Sequence, residues 1–172
     1  MWNRKFLCVL VVVMVTLSGF VSAEPKSDPP SPSHPSPSLP AAFYVVSPLE
    51  QKAVDLLNLD REKEGLPPLK INQKLAKLAG DYALDMSTRK FFSHYNPEGQ
   101  SPFDRMIAAG IDFPNAGENI ALSPTLEIAE KMLFESPTHR ENILNTHFTE
   151  VGIGVRPDSR GGVYAVQEFI GP

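Results

Sequence analysis

Apolar residues recur three and four apart between Ser47 and Leu144, and every second residue between Glu150 and Arg156, so the chain changes from helical to strand-like spacing. Ser47-Pro48-Leu49-Glu50 is a capping box with proline at the first helical position, and Leu49, Ala53, Val54, Leu56 and Leu57 form the apolar face of a helix that Gly65 stops. Leu66-Pro67-Pro68-Leu69 forces an extended turn. A second helix is predicted from Asn72 through Leu75, Ala79, Tyr82 and Met86, ending near Arg89 or Lys90, which leaves His94 just past its C-terminus. Ser101-Pro102-Phe103-Asp104 opens a short helix that Gly110 ends, Ser123-Pro124 opens another through Leu133, and Ser136-Pro137 opens a last one through Leu144. Glu150 to Arg156 and Gly162 to Phe169 flank a turn cluster and predict an antiparallel hairpin. Helices first and the clearest strands last imply an α+β domain in which helices cover a small antiparallel sheet.

Upstream of Ser47 neither period is present. Arg4 and Lys5 precede an almost uncharged apolar run from Phe6 to Val21, and Val21-Ser22-Ala23 supplies the small residues of an export cleavage site, so residues 1–23 read as a signal peptide. The alternative is an uncleaved anchor, since the run falls just short of the roughly 17–25 residues that span a bilayer. Residues 24–46 read as a linker: Pro25, Pro29, Pro30, Pro32, Pro35, Pro37 and Pro40 alternate with serines, and each fixes φ and removes a backbone donor. His34 in this stretch is expected to be solvated. The globular domain is then 47–172.

Processing changes the charge and the redox chemistry. Cys8 is the one cysteine of the chain, so the mature protein has neither a disulfide nor a thiol nucleophile. Losing Arg4 and Lys5 leaves 14 basic against 20 acidic residues, a formal charge of −6. An acidic domain without a basic block argues against nucleic acid and against docking on anionic lipid.

The candidate chemistry lies between Phe91 and Leu144. His94, Glu118 and His139 stand in otherwise apolar or turn-forming text, and two imidazoles with a carboxylate supply the composition of an open zinc site or of acid–base chemistry. They also supply a polar knot in which Glu118 bridges both imidazoles across three loops. Ser93 beside His94 is a poor nucleophile candidate, because sequence neighbours rarely point at each other. Asn119, Asn142, Asp104 and Arg105 read as turn or helix-end residues, and Phe91, Phe92, Phe103, Phe134 and Phe148 as core.

Several blocks occur together in order: Gly65-Leu66-Pro67-Pro68-Leu69, Phe92-Ser93-His94, Pro102-Phe103-Asp104-Arg105, Ala116-Gly117-Glu118-Asn119-Ile120-Ala121, Ser136 to Leu144, Phe148 to Val155, and Tyr164 to Phe169. This arrangement resembles the bacterial branch of the CAP superfamily, the cysteine-rich secretory, antigen 5 and pathogenesis-related 1 proteins, over about residues 50–170. The resemblance implies an α-β-α sandwich with a central cleft, in which two histidines and two acidic residues meet. His94, Glu118 and His139 match three of these positions by motif. Glu135 is the nearest acidic candidate for the fourth, although the position also aligns with Ser136, and His147 does not match. Leu133 and Ala165 stand where relatives often carry tryptophan. The resemblance implies an exported, envelope-associated monomer that binds a lipid, glycan, peptide or wall ligand. A divalent cation such as zinc at His94 and His139 is the implied cofactor, and a metal-dependent hydrolase the alternative function.

Overall fold

A computed structural model describes residues 44–172; the expected signal peptide, Cys8, His34 and most of the expected linker lie outside the described residues. Tyr44, counted with the linker by sequence, belongs to the folded body. Its hydroxyl donates to Glu50 Oε1 at 2.7 Å and accepts from Arg156 Nη2 at 3.0 Å.

Helix α1 (Pro48–Lys63) starts at the expected capping box, with Ser47 and Glu50 exchanging side-chain and backbone bonds. A two-residue strand β1 (Lys70–Ile71) precedes α2 (Gln73–Arg89), which Asn72 caps and a left-handed Lys90 ends. Then follow α3 (Pro102–Ala108), β2 (Asn115–Ser123), α4 (Leu126–Glu135), α5 (Pro137–Ile143), β3 (Glu150–Pro157) and β4 (Val163–Gly171). Strand β2 is absent from the sequence reading, because Gly117, Glu118 and Asn119 break any two-residue apolar alternation. The start assigned to Ser123-Pro124 moves as well: Ser123 closes β2, and Thr125 caps α4 by accepting from Ile128 N.

The sheet order is β1-β3-β4-β2, parallel between β1 and β3 and antiparallel elsewhere. Successive strand residues face opposite sides, which sorts the core into two layers. One side packs on α2, where Ala79, Tyr82, Ala83 and Met86 meet Ile120, Tyr164 and Val166. The other side packs on α1, α4 and α5, where Val54, Leu57, Ala129, Leu133 and Ile143 meet Val151, Ile153, Val155 and Phe169. Helix α2 lies directly on β3. A Cβ at Gly152 would stand 2.1 Å from the Leu75 carbonyl carbon, and one at Gly154 would stand 2.2 Å from that of Ala79. No other residue fits under a helix backbone at that distance.

Candidate functional site

The site forms around β2, the last strand of the sheet, because neighbouring residues on this strand point to opposite layers. Glu118 faces the α2 layer. Its Oε1 accepts from His94 Nδ1 at 2.7 Å, and its Oε2 pairs with Arg105 Nη2. A carboxylate only accepts, so His94 carries a proton on Nδ1. The His94 ring is half-exposed, whereas the Glu118 side chain is buried.

Arg105 holds this half together. From α3 its Nη1 donates to the carbonyls of His94 at 2.9 Å and Gln100 at 3.2 Å, pinning the loop after α2 to the sheet. Its guanidinium carbon lies 3.4 Å from the centre of the Tyr82 ring. Burial pushes the Tyr82 phenol up to about 12, and its hydroxyl donates to Ser93 O at 2.6 Å. Glu168, register partner of Glu118 on β4, lies fully buried 3.7 Å from Arg105 Nη2. Burial, then the Glu118 charge, raises its carboxyl well above the usual range. Neither of its oxygens has a hydrogen-bond partner among the described residues.

Asn119 faces the other layer and holds His139. Its Nδ2 donates to His139 O and to Gln167 Oε1, both at 3.0 Å. Asn142 Nδ2 donates to Asn119 Oδ1 at 2.9 Å and to Glu118 O at 3.3 Å, while Gln167 Nε2 donates to Glu130 Oε2 at 2.8 Å. The His139 ring turns to Ser136, Nδ1 to Oγ at 2.8 Å. Burial, then the nearby charge of His94, lowers its pKa.

The model of the cysteine-rich secretory protein family, CAP, matches residues 54–169. The chain belongs to the CAP family. This CAP chain is 39% identical over 146 residues to the uncharacterized protein YkwD of Bacillus subtilis, covering 84% of itself and 56% of YkwD. It is 36% identical over 122 residues to the uncharacterized membrane protein YlbC of the same organism, covering 70% of itself and 34% of YlbC. The chain thus spans about half of one curated relative and about a third of the other. An extracellular SCP-domain protein of Bacillus anthracis shares the fold at TM-score 0.62 and 31% identity, over 72% of this chain and 40% of that one. An outer surface protein of Borrelia burgdorferi, at 22% identity, is similar in fold alone, with TM-score 0.65 over 70% of this chain and 90% of that one.

Of the residues expected in the CAP cleft, the fold brings His94, Glu118 and His139 to one strand edge. Glu118 does not bridge the two imidazoles, because Arg105 takes its second oxygen and Ser136 takes His139 Nδ1. Glu135 is exposed at the end of α4, 3.6 Å from Lys131, with Ser136 in the place next to His139. His147 faces Asn145, and Ser93 Oγ accepts from Tyr95 N at 3.1 Å, turned into its own loop. Among the described residues no three His, Cys, Asp or Glu side chains gather as a metal-holding group. The side chains present therefore do not complete a three-ligand zinc centre.

Arg105, Glu168 and Gln167 are site residues that sequence patterns do not single out. Arg105 has the pattern of an α3 helix-end residue, and it reaches across to β2 instead. Gln167 and Glu168 do carry a signal: a polar pair interrupts the apolar run from Val163 to Ile170, placing one polar group in each buried layer. Phe92 and Phe103, expected in the core, are half-exposed, Phe92 tilted against Tyr164 at 6.5 Å and Phe103 against Phe113 at 6.0 Å.

Proposed function

We propose that this CAP domain works outside the cytoplasm as a binding module whose His94, Glu118 and His139 cleft takes up a lipid, glycan or peptide without hydrolysing it. The observation that carries the reading is the commitment of Glu118. Each of its oxygens already holds a charge-assisted bond, one from His94 and one from Arg105. These bonds give Glu118 the part of orienting His94 and pairing Arg105, and a zinc hydrolase needs a third ligand beside its imidazoles. What remains available is the half-exposed His94 ring, with the half-exposed Phe92 two residues before it in the chain as apolar surface. The apolar run from Phe6 to Val21 and the extracellular SCP-domain relative support the location. On this reading zinc is not a resident cofactor.

The test is a thermal-shift screen of the 172-residue chain against lipids, wall glycans and peptides, beside calorimetric zinc titration, with His94→Ala and His139→Ala as controls. The expected result is a ligand that raises the melting temperature of the wild type, loses that effect in His94→Ala and is recovered unchanged. Zinc-dependent cleavage of a peptide, ester or wall fragment, abolished by both substitutions, overturns the reading in favour of a metal-dependent hydrolase.

A further inference from the structure

In an antiparallel pair, residues that exchange both backbone bonds with the neighbour alternate with residues whose N–H and C=O turn away. The bonds from Thr149 N to Ile170 O and from Asn72 N to Val151 O fix that alternation here, turning Ile170 and then Glu168, Val166 and Tyr164 toward β3. The opposite parity of β4 binds β2, which leaves Ala116, Glu118, Ile120 and Leu122 with their amides directed out of the sheet. Among the described residues one bond reaches this row, from Asn142 Nδ2 to Glu118 O. Solvent also reaches it. Glu118 is 8% exposed as a residue while its side chain is 1% exposed, so the accessible part is backbone.

We propose that the outer edge of β2 is a docking strip for an extended peptide, which adds as a fifth strand between His94 and His139. This deepens the binding-module reading, on which it rests, by naming the ligand class. Donors and acceptors two residues apart repeat at about 7 Å along a strand, a spacing that a β-conformation peptide reproduces and a sugar or acyl chain does not. Charge fits as well, since Arg105 of α3 neutralises Glu118 on the α2 face of the sheet and the strip offers a neutral backbone no uncompensated ion. On the α2 side, the half-exposed His94 ring stands beside Glu118 as a polar group. Phe92 lies against Tyr164, register partner of Leu122, and gives an apolar seat four residues along. The occupant is therefore a proline-free segment carrying a polar side chain and an apolar side chain four residues apart on one face.

The probe is a displayed library of random nonapeptides selected on the full chain, followed by N-methylation of the enriched peptide one residue at a time. Strand addition predicts about ten-fold weaker binding at every second position, where a bonded N–H is lost, and little change between them. Leu122→Pro removes an outward N–H but no bond of the β2–β4 ladder. It is expected to weaken binding by a similar factor with an unchanged circular dichroism spectrum. N-methyl losses without alternation, or full affinity in Leu122→Pro, overturn the proposal. Sedimentation of the free chain as a dimer that Leu122→Pro dissociates makes a second copy the occupant and also overturns it. If a lipid or glycan binds with His94-dependent affinity and no peptide is enriched, the peptide assignment falls and the binding module stands. If no compound of any class binds, both fall.

Discussion

Replacing Glu130 by Gln isolates the cost of one buried carboxyl. Glu130 lies on α4 with 4% of its surface exposed, one oxygen accepting from Gln167 and the other without a partner among the described residues. Burial, then the charge of Asp60, push its pKa up to about 8 from an ordinary 4.5, against a smaller lowering by the Gln167 bond. A tenfold change in an acid constant corresponds to about 1.4 kcal/mol, so ionising the folded carboxyl costs up to about 5 kcal/mol more than ionising it in the unfolded chain. Between these two pKa values the folded state keeps a proton that the unfolded state releases. This contribution is therefore fully present below about pH 4.5, declines by at most about 1.4 kcal/mol per pH unit, and is gone above about pH 8. Glutamine cannot ionise, yet it still offers an oxygen to Gln167. The assay is urea unfolding of wild type and Glu130→Gln at half-unit intervals from pH 5 to 9, where their difference cancels every other titrating group. The variant is expected to match the wild type within about 1 kcal/mol at pH 5 and to exceed it by several kcal/mol at pH 8. A pH-independent difference, or a variant less stable than the wild type at pH 8, refutes the assignment of a desolvated, proton-retaining Glu130.

Arg105→Ala leaves Glu118 buried without its guanidinium partner and frees the loop at His94; a stability loss of about 3–5 kcal/mol is expected in denaturant melts, and a loss under about 1 kcal/mol counts against the ion pair as the organiser of this half-site. Gly154→Ala drives a methyl into the backbone of α2, and unfolding midpoints should fall by the equivalent of about 3 kcal/mol or more, whereas wild-type stability means that α2 sits farther from β3. Burial and the neighbouring charge of His94 lower the pKa of His139, so its contribution is present above the ordinary imidazole pKa and lost as pH falls below it toward the lowered value. His139→Gln should therefore flatten the decline in stability on the acid side of about pH 6.5, and an unchanged slope in melts from pH 5 to 7 argues against a desolvated His139.

The helices with the strongest end signals were legible because their information is local. Ser47 and Glu50 close a box across one turn, Asn72 reaches Lys74 and Leu75, and Ser101 and Asp104 repeat the box at α3. The β3–β4 hairpin was legible from the alternation of Glu150 to Arg156, the turn cluster after it and the strand-like run from Gly162 to Phe169. Strand β2 was not, because it is buried on both faces and carries polar groups on both, so its apolar residues keep no period. The motif text named His94, Glu118 and His139 without indicating which contacts join them. Arg105 shows why: it lies 13 residues from Glu118, and no local rule separates a helix-surface arginine from one that crosses to the sheet.

The order of residues alone thus determined the α+β class, most helix starts and the hairpin, because capping, periodicity and turn chemistry act over a few positions. Tertiary structure decided the rest. Strand register set Glu168 beside Glu118 and turned alternate β2 amides outward, and packing exchanged the expected imidazole–carboxylate–imidazole bridge for one with Arg105. Glu135 went to solvent because α4 ends with that side chain on its own Lys131 face, away from Glu118. Hydrogen-bond partners far apart in the chain are chosen by which faces the folded layers press together, and that choice exists only after the sheet has closed.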